Sequence, residues 1–283
     1  MAYLMNICFD NSRRLRRKHY LFEYRGARFK LIQQDPRKWA DHLLTIIPDR
    51  DQSTRERVFS AASEFLSALS WENRARIAIW EGGGRGWPDD HALSKAVPVI
   101  FTFPRIPFGG HAVGYDIARI PKIETEAQKV ALTLFREAGA SNNDYLSFLF
   151  YWQVLETNGA HPESVIERTY RRNRDELHIS KSDLAGLPLS GRSLGRYLRD
   201  DCRDAISHIR RKPGRRKLEL DRAEERTRLA ISARVMRAFA EYYIRQVLNL
   251  EKHLYLVRKS ARAFPIFAND HFMAVHSCRP AYK

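Results

Sequence analysis

The chain has 283 residues, 44% of them apolar, which is enough to bury one large core or two ordinary ones and excludes a disordered polymer. Its formal net charge of +16 and pI near 10.0 point to a polyanionic partner, nucleic acid ahead of an anionic membrane surface. The three cysteines, Cys8, Cys202 and Cys278, are odd in number and contain no C-x-x-C pair, which argues against a disulfide scaffold or structural zinc and for a reduced, cytoplasmic protein.

The first elements mix strands and helices. The apolar run from Tyr3 to Phe9 predicts a strand, and HYLFEYRGARFKLIQQ (19 to 34) predicts a hairpin turning at Arg25-Gly26. DPRKWADHLL reads as a short helix with Trp39 and Leu43 facing a core. Behind Ser53, the residues Val58, Ala61, Ala62, Phe65, Leu66 and Leu69 fall at helical spacing. ARIAIW and VPVIFTF then predict two strands bracketing EGGGRGWPDD. The glycines of that stretch invite a phosphate-loop reading, but no Gly-Lys-Ser/Thr follows and no helix opens there, so a flexible loop is the better account.

From about residue 121 the pattern becomes helical. TEAQKVALTLFREAG, NDYLSFLFYWQVLETNG, PESVIERTYRRNRDEL, SLGRYLRDDCRDAISHI and RAEERTRLAISARVMRAFAEYYIRQVLNLEKHL follow one another between Gly-, Pro- or Asn-rich breaks. Gly139, Gly159 and Gly186 fall where helix ends belong, and Pro162 at a first turn. The most apolar run, 145 to 155, has about half the ~20 residues of a membrane crossing, and the amino terminus has the reverse order of a secretory signal. The tail carries no helical period and reads as an extended arm. The expected organisation is α+β: a mixed α/β domain of unknown role at 1–118, an all-α bundle at 119–255 and a C-terminal arm at 256–283.

The strongest concentration of charge lies in 192–217, where Arg192, Arg196, Arg199, Arg203, Arg210, Arg211, Lys212, Arg215, Arg216 and Lys217 face only Asp200, Asp201 and Asp204. This segment also holds one of three arginine-histidine pairs five apart, Arg14/His19, Arg37/His42 and Arg203/His208, so spacing alone selects none of them. Context favours the last. It ends a helix closed by Pro213-Gly214, where the dipole favours cations and raises a histidine's proton affinity. Asp204, four residues before His208, shares its face and can orient the imidazole. Arg210, Arg211, Lys212, Arg215 and Arg216 offer a phosphate-binding margin. One geometric objection stands: on a regular helix residues five apart diverge by about 140°, so convergence needs a bend or a cleft such as a two-fold dimer axis.

RDAISH resembles the R-[Asn/Asp/His]-x3-H signature of the HEPN domain, a helical ribonuclease module of prokaryotic toxins and defence systems. The upstream aromatic helix FLFYWQVLE and the long helix that follows fit that likeness, which covers about 121 to 255. The resemblance implies an HEPN-like bundle cleaving RNA without metal or cofactor: the 2′-hydroxyl attacks the adjacent phosphorus and leaves a 2′,3′-cyclic phosphate. It implies His208 as the proton-moving group, Arg203 as the cation facing the phosphorane and Asp204 as the orienting acid. Arg199 and the cationic margin would bind RNA, and Glu156 would support the site from the neighbouring helix. A homodimer would bring in the partner subunit's His208, and a neutralising antitoxin or a sensor of the defence system would be a further partner. FDNSRR and FEYRGARFKL are also similar to methylamine-utilisation accessory proteins, a likeness in the N-terminal half. The alternatives are a non-catalytic HEPN protein that binds nucleic acid or a partner, and a DNA-binding regulator, which lacks support because no short polar recognition helix stands out. Phe148, Phe150, Tyr151 and Trp152 read as bundle core or dimer interface, and Arg171, Arg172 and Arg174 as a solvated face that can extend an RNA track.

Overall fold

A computed structural model of the protein describes residues 3–33, 41–47, 51–79, 85–88, 117, 119–207, 222–250, 254–256 and 258–259. The chain divides into two compact units, Met1–Ile120 with Tyr255–Lys283, and Pro121–Leu254.

The first unit is built on an antiparallel sheet. Its strands are β1 (Tyr3–Asn11), β2 (His19–Tyr24), β3 (Ala27–Ile32), β4 (Asp41–Ile47), β5 (Ile77–Ile79), β6 (Arg85–Pro88) and β9 (Arg258–Lys259). They lie in the order β5-β1-β4-β3-β2-β9, with β6 also pairing with β1. The β2–β3 hairpin turns through Arg25 and Gly26, both at positive φ (51° and 73°), the geometry that a two-residue turn requires. One face packs on α1 (Gln52–Glu72), where Phe65 lies 4.4 Å from the Phe22 ring and 5.7 Å from Tyr24. Asp51 caps α1 by accepting from Thr54 N at 3.0 Å, so the cap falls two residues before the expected Ser53.

Two expectations fail here. DPRKWADHLL does not give a helix over its last residues, because Asp41–Ile47 forms the sheet strand between β1 and β3. Pairing on both edges and the buried side chains Leu43, Leu44, Thr45 and Ile47 outweigh the local helical pattern. Trp39 lies outside the described residues. The glycine-rich loop is in part a strand, since Arg85–Pro88 pairs with β1 through main-chain bonds that need no side-chain alternation. VPVIFTF and most of the C-terminal arm also lie outside the described residues.

The face of the sheet opposite α1 buries polar groups. Cys8 and His42 are cross-strand partners, their Sγ and Nδ1 3.4 Å apart, and Asn6 Oδ1 lies 3.2 Å from the same Nδ1. Burial pushes the Cys8 thiol up to about 11 and His42 down to about 4, so both are neutral near pH 7.

The second unit is helical: α2 (Glu126–Ala140), α3 (Asp144–Glu156), α4 (Pro162–Arg172), a 3₁₀ turn (Arg174–Leu177), α5 (Lys181–Ala185), α6 (Leu194–Tyr197), α7 (Asp204–Ser207) and α8 (Ala223–Tyr242). β7 (Arg119–Pro121) and β8 (Leu254–Leu256) form a separate two-stranded ribbon. Thr125 and Gln128 make a reciprocal capping box on α2, and Gln128 Nε2 also donates to Leu248 O at 2.7 Å, tying the start of α2 to the chain beyond α8. The core gathers Phe148, Tyr151, Trp152, Val154 and Leu155 of α3 against Leu229, Met236 and Phe239 of α8. The aromatic run of α3 is therefore bundle interior, except for the half-buried Phe150. No helix among the described residues is long and apolar enough to cross a membrane.

His42 gives a test of the first unit. Its folded pKa lies below the unfolded value, so its contribution is complete above pH 6.5 and is lost as pH falls from 6.5 towards 4, by up to about 1.4 kcal/mol per pH unit. Urea unfolding at pH 7 and pH 5, with hydrogen exchange resolving peptides from 3–33, will show this loss. His42→Gln will flatten it.

Candidate nucleic-acid interface

The motif helix does not run regularly. After α6 it widens into a π-turn, Leu198–Arg203, in which Asp204 N–H donates to Arg199 O five residues back, and then resumes as α7. Such a turn leaves main-chain carbonyls out of register with the helix ladder, and it persists only where something else satisfies them.

That partner is Arg228 of α8. Its Nη2 donates to Asp201 O at 3.1 Å and to Glu225 Oε1 at 2.6 Å. Its Nε donates to Glu225 Oε2 at 2.9 Å, and its Nη1 reaches Tyr197 OH at 2.9 Å and Cys202 Sγ at 3.2 Å. All five guanidinium donors are used. Arg228 and Glu225 are both 4% exposed, a bidentate ion pair inside the bundle. Burial opposes the charge on Arg228, but the Glu225 carboxylate, Cys202 and Tyr197 together hold the pKa above the ordinary arginine value. Burial pushes Tyr197 up to about 12 and raises Cys202 as well, so neither ionises near neutrality. The Cys202 thiol also donates to Ser232 Oγ at 3.4 Å.

On its outer side the same segment is laced with ion pairs. Arg192 meets Asp201, Arg196 Nε lies 3.6 Å from Asp200 Oδ2, and Arg199 holds Asp200 at 2.8 Å and Glu163 of α4. Arg203 Nη1 lies 3.0 Å from Asp204 Oδ1, and with 38% of its side chain exposed it faces water. Because of the π-turn, Arg199 stacks one turn beneath Asp204 rather than beneath Arg203.

α4 fixes the orientation of this end. Glu163 pairs with Arg199, and Glu167 Oε1 accepts from Gly195 N at 2.6 Å, so the two segments run antiparallel. Gly195 permits the approach: a Cβ there would sit 2.8 Å from Glu163 O and 2.8 Å from Glu167 Oε1. The carboxyl end of α3 leads into the amino end of α4, so exposed Glu156, bonded by Trp152 Nε1 at 2.9 Å, belongs to the same end of the bundle as Arg199 and Arg203. His208, Arg210, Arg211, Lys212, Arg215 and Arg216 lie outside the described residues. No group of three or more His, Cys, Asp or Glu side chains among the described residues is arranged to hold a metal.

Glu225 and Arg228 are not among the site residues expected from the sequence. Their signal was present: an acid and a base three apart on the same helical stripe as Leu229, Ser232 and Met236, a charge pair on a buried face.

The model of one family, methylamine utilization protein MauJ, matches residues 131–245, from within α2 to the turn that follows α8. The expected methylamine-utilisation likeness thus falls in the C-terminal half, not on FDNSRR and FEYRGARFKL, and the match is to that family rather than to HEPN. No curated protein matches the chain, and no solved structure matches it.

Arg228→Met removes one partner of the buried pair and leaves Glu225 uncompensated, which costs about 3–5 kcal/mol. Urea melts will show this, and Glu225→Leu added to Arg228→Met will recover part of it. Gly195→Ala forces α4 away from α6 and lowers stability by about 1–3 kcal/mol in the same melts.

Proposed function

We propose that the helical unit is an RNA-cleaving module of HEPN type that works without metal, with Arg203 and His208 as its reacting pair. The observation that carries this reading is the Arg203 guanidinium, water-facing and held by Asp204, at the end of the π-turn that leads towards His208. In that role Arg203 faces the negative charge that develops on phosphorus. His208 moves the proton of the 2′-hydroxyl, Asp204 orients it, and the partner subunit's His208 serves the leaving oxygen. The net charge of +16 supports a polyanionic substrate. Arg199 reaches Glu163 and Asp200, so it shapes this end of the bundle as well as adding charge near phosphate. A toxin or phage-defence setting in the cytoplasm, with a neutralising or sensing partner, completes the proposal.

A second reading follows from the match at 131–245: an accessory protein of methylamine utilization, in which the same helix end binds a partner and cuts nothing.

Labelled RNA incubated in EDTA with wild type, His208→Ala and Arg203→Ala separates the two. The nuclease reading expects cleavage by wild type and a loss of at least about 100-fold in each variant. Intact RNA with all three proteins favours the accessory reading.

A further inference from the structure

The arginines of the helical unit divide by whether a carboxylate answers them. Arg192, Arg196, Arg199 and Arg203 are all ion-paired. Arg168, Arg171 and Arg172 of α4 are exposed and meet no carboxylate among the described residues, and Arg174 in the following turn lies 5.2 Å over the Tyr170 ring. Four guanidinium groups within seven positions repel one another at i,i+3 and i,i+4. The α4 dipole rewards Arg171 and Arg172 in its last turn, but not Arg168 a turn earlier or Arg174 beyond it. The acids nearby form no ion pair with them: Glu167 accepts from Gly195 N, Glu176 accepts from the Asn173 side chain at 2.9 Å, and Asp175 lies beside them in the chain.

We propose that this edge of α4, formed by Arg168, Arg171, Arg172 and Arg174, is a docking surface for the phosphodiester backbone of single-stranded RNA. Guanidinium forks match phosphate oxygens two at a time, and Tyr170 supplies a ring on which a base can stack. A membrane surface would call for exposed apolar side chains among the cations. The exposed large apolar residues of the described chain, Phe59, Val130, Leu146 and Val247, all lie outside 162–178.

The antiparallel packing of α4 on the motif helix places this edge at the opposite end of the pair from Arg203. Four residues from Arg203 back to the Glu163 contact and eight on to Arg171 give roughly 18 Å along the axis. Only the role of the Arg203 end rests on the proposed function. The RNA surface stands on α4 itself.

The test measures affinity for a fluorescent single-stranded RNA of about twenty nucleotides over a salt series. Wild type is compared with a variant carrying Arg168→Ala, Arg171→Ala, Arg172→Ala and Arg174→Ala, and with a control carrying Arg234→Ala and Arg237→Ala on α8. Circular dichroism checks that all are folded. The four substitutions are expected to weaken binding at least tenfold at 100 mM salt and to lower the slope of log K against log salt by about 3, roughly 0.7 per lost phosphate contact. The control is expected to change the slope by less than half as much. No RNA binding by wild type, or an unchanged affinity and slope in the α4 variant, overturns the proposal. So does an unchanged RNA affinity accompanied by lost binding to phosphatidylserine vesicles. RNA bound through α4 and never cut removes the nuclease and leaves this surface. Arg203-dependent cutting with no effect of the α4 substitutions removes this surface and leaves the nuclease.

Discussion

The helical unit depends on one guanidinium. Arg228 lies inside the bundle with every donor occupied, and it closes the π-turn by taking Asp201 O while Glu225 neutralises it. A buried pair of this kind adds little net stability over well-packed apolar residues, so its worth lies in specifying a backbone path. The positions of Arg199, Arg203 and Asp204 therefore follow from a residue on another helix.

The outer surface shows what that path does to charge. Between 192 and 203 the four arginines are matched by Asp200, Asp201, Asp204 and Glu163, so this described part of the basic 192–217 segment is close to balanced in space. Arg203 faces water with one carboxylate beside it, whereas the arginines ending α4 make no ion pair among the described residues. In the proposed reading, long-range attraction of a polyanion and the local geometry of a reacting site fall to different ends of the same helix pair.

Much of the coarse architecture was legible. Period-2 runs around Arg25-Gly26 and period-3.6 runs from 126 onward carry their own core faces, and the hairpin and α2, α3, α4 and α8 follow from them. What was not legible depends on partners distant in sequence. β4 is a strand because β1 and β3 flank it, β6 is one because the β1 edge is open to it, and the π-turn exists because α8 supplies Arg228. At the candidate site, the Arg203/His208 spacing and the acid at 204 could be read directly. The engagement of Arg199 by Glu163 could not, because Gly195 sets that approach from a different helix.

The ends of the RNA products decide whether the proposed chemistry takes place. Wild-type protein in EDTA, given one RNA and the same RNA with 2′-deoxy residues throughout, is predicted to cut only the first and to leave 2′,3′-cyclic phosphate and 5′-hydroxyl ends. Cleavage of the deoxy strand, or products ending in 5′-phosphate, would contradict it.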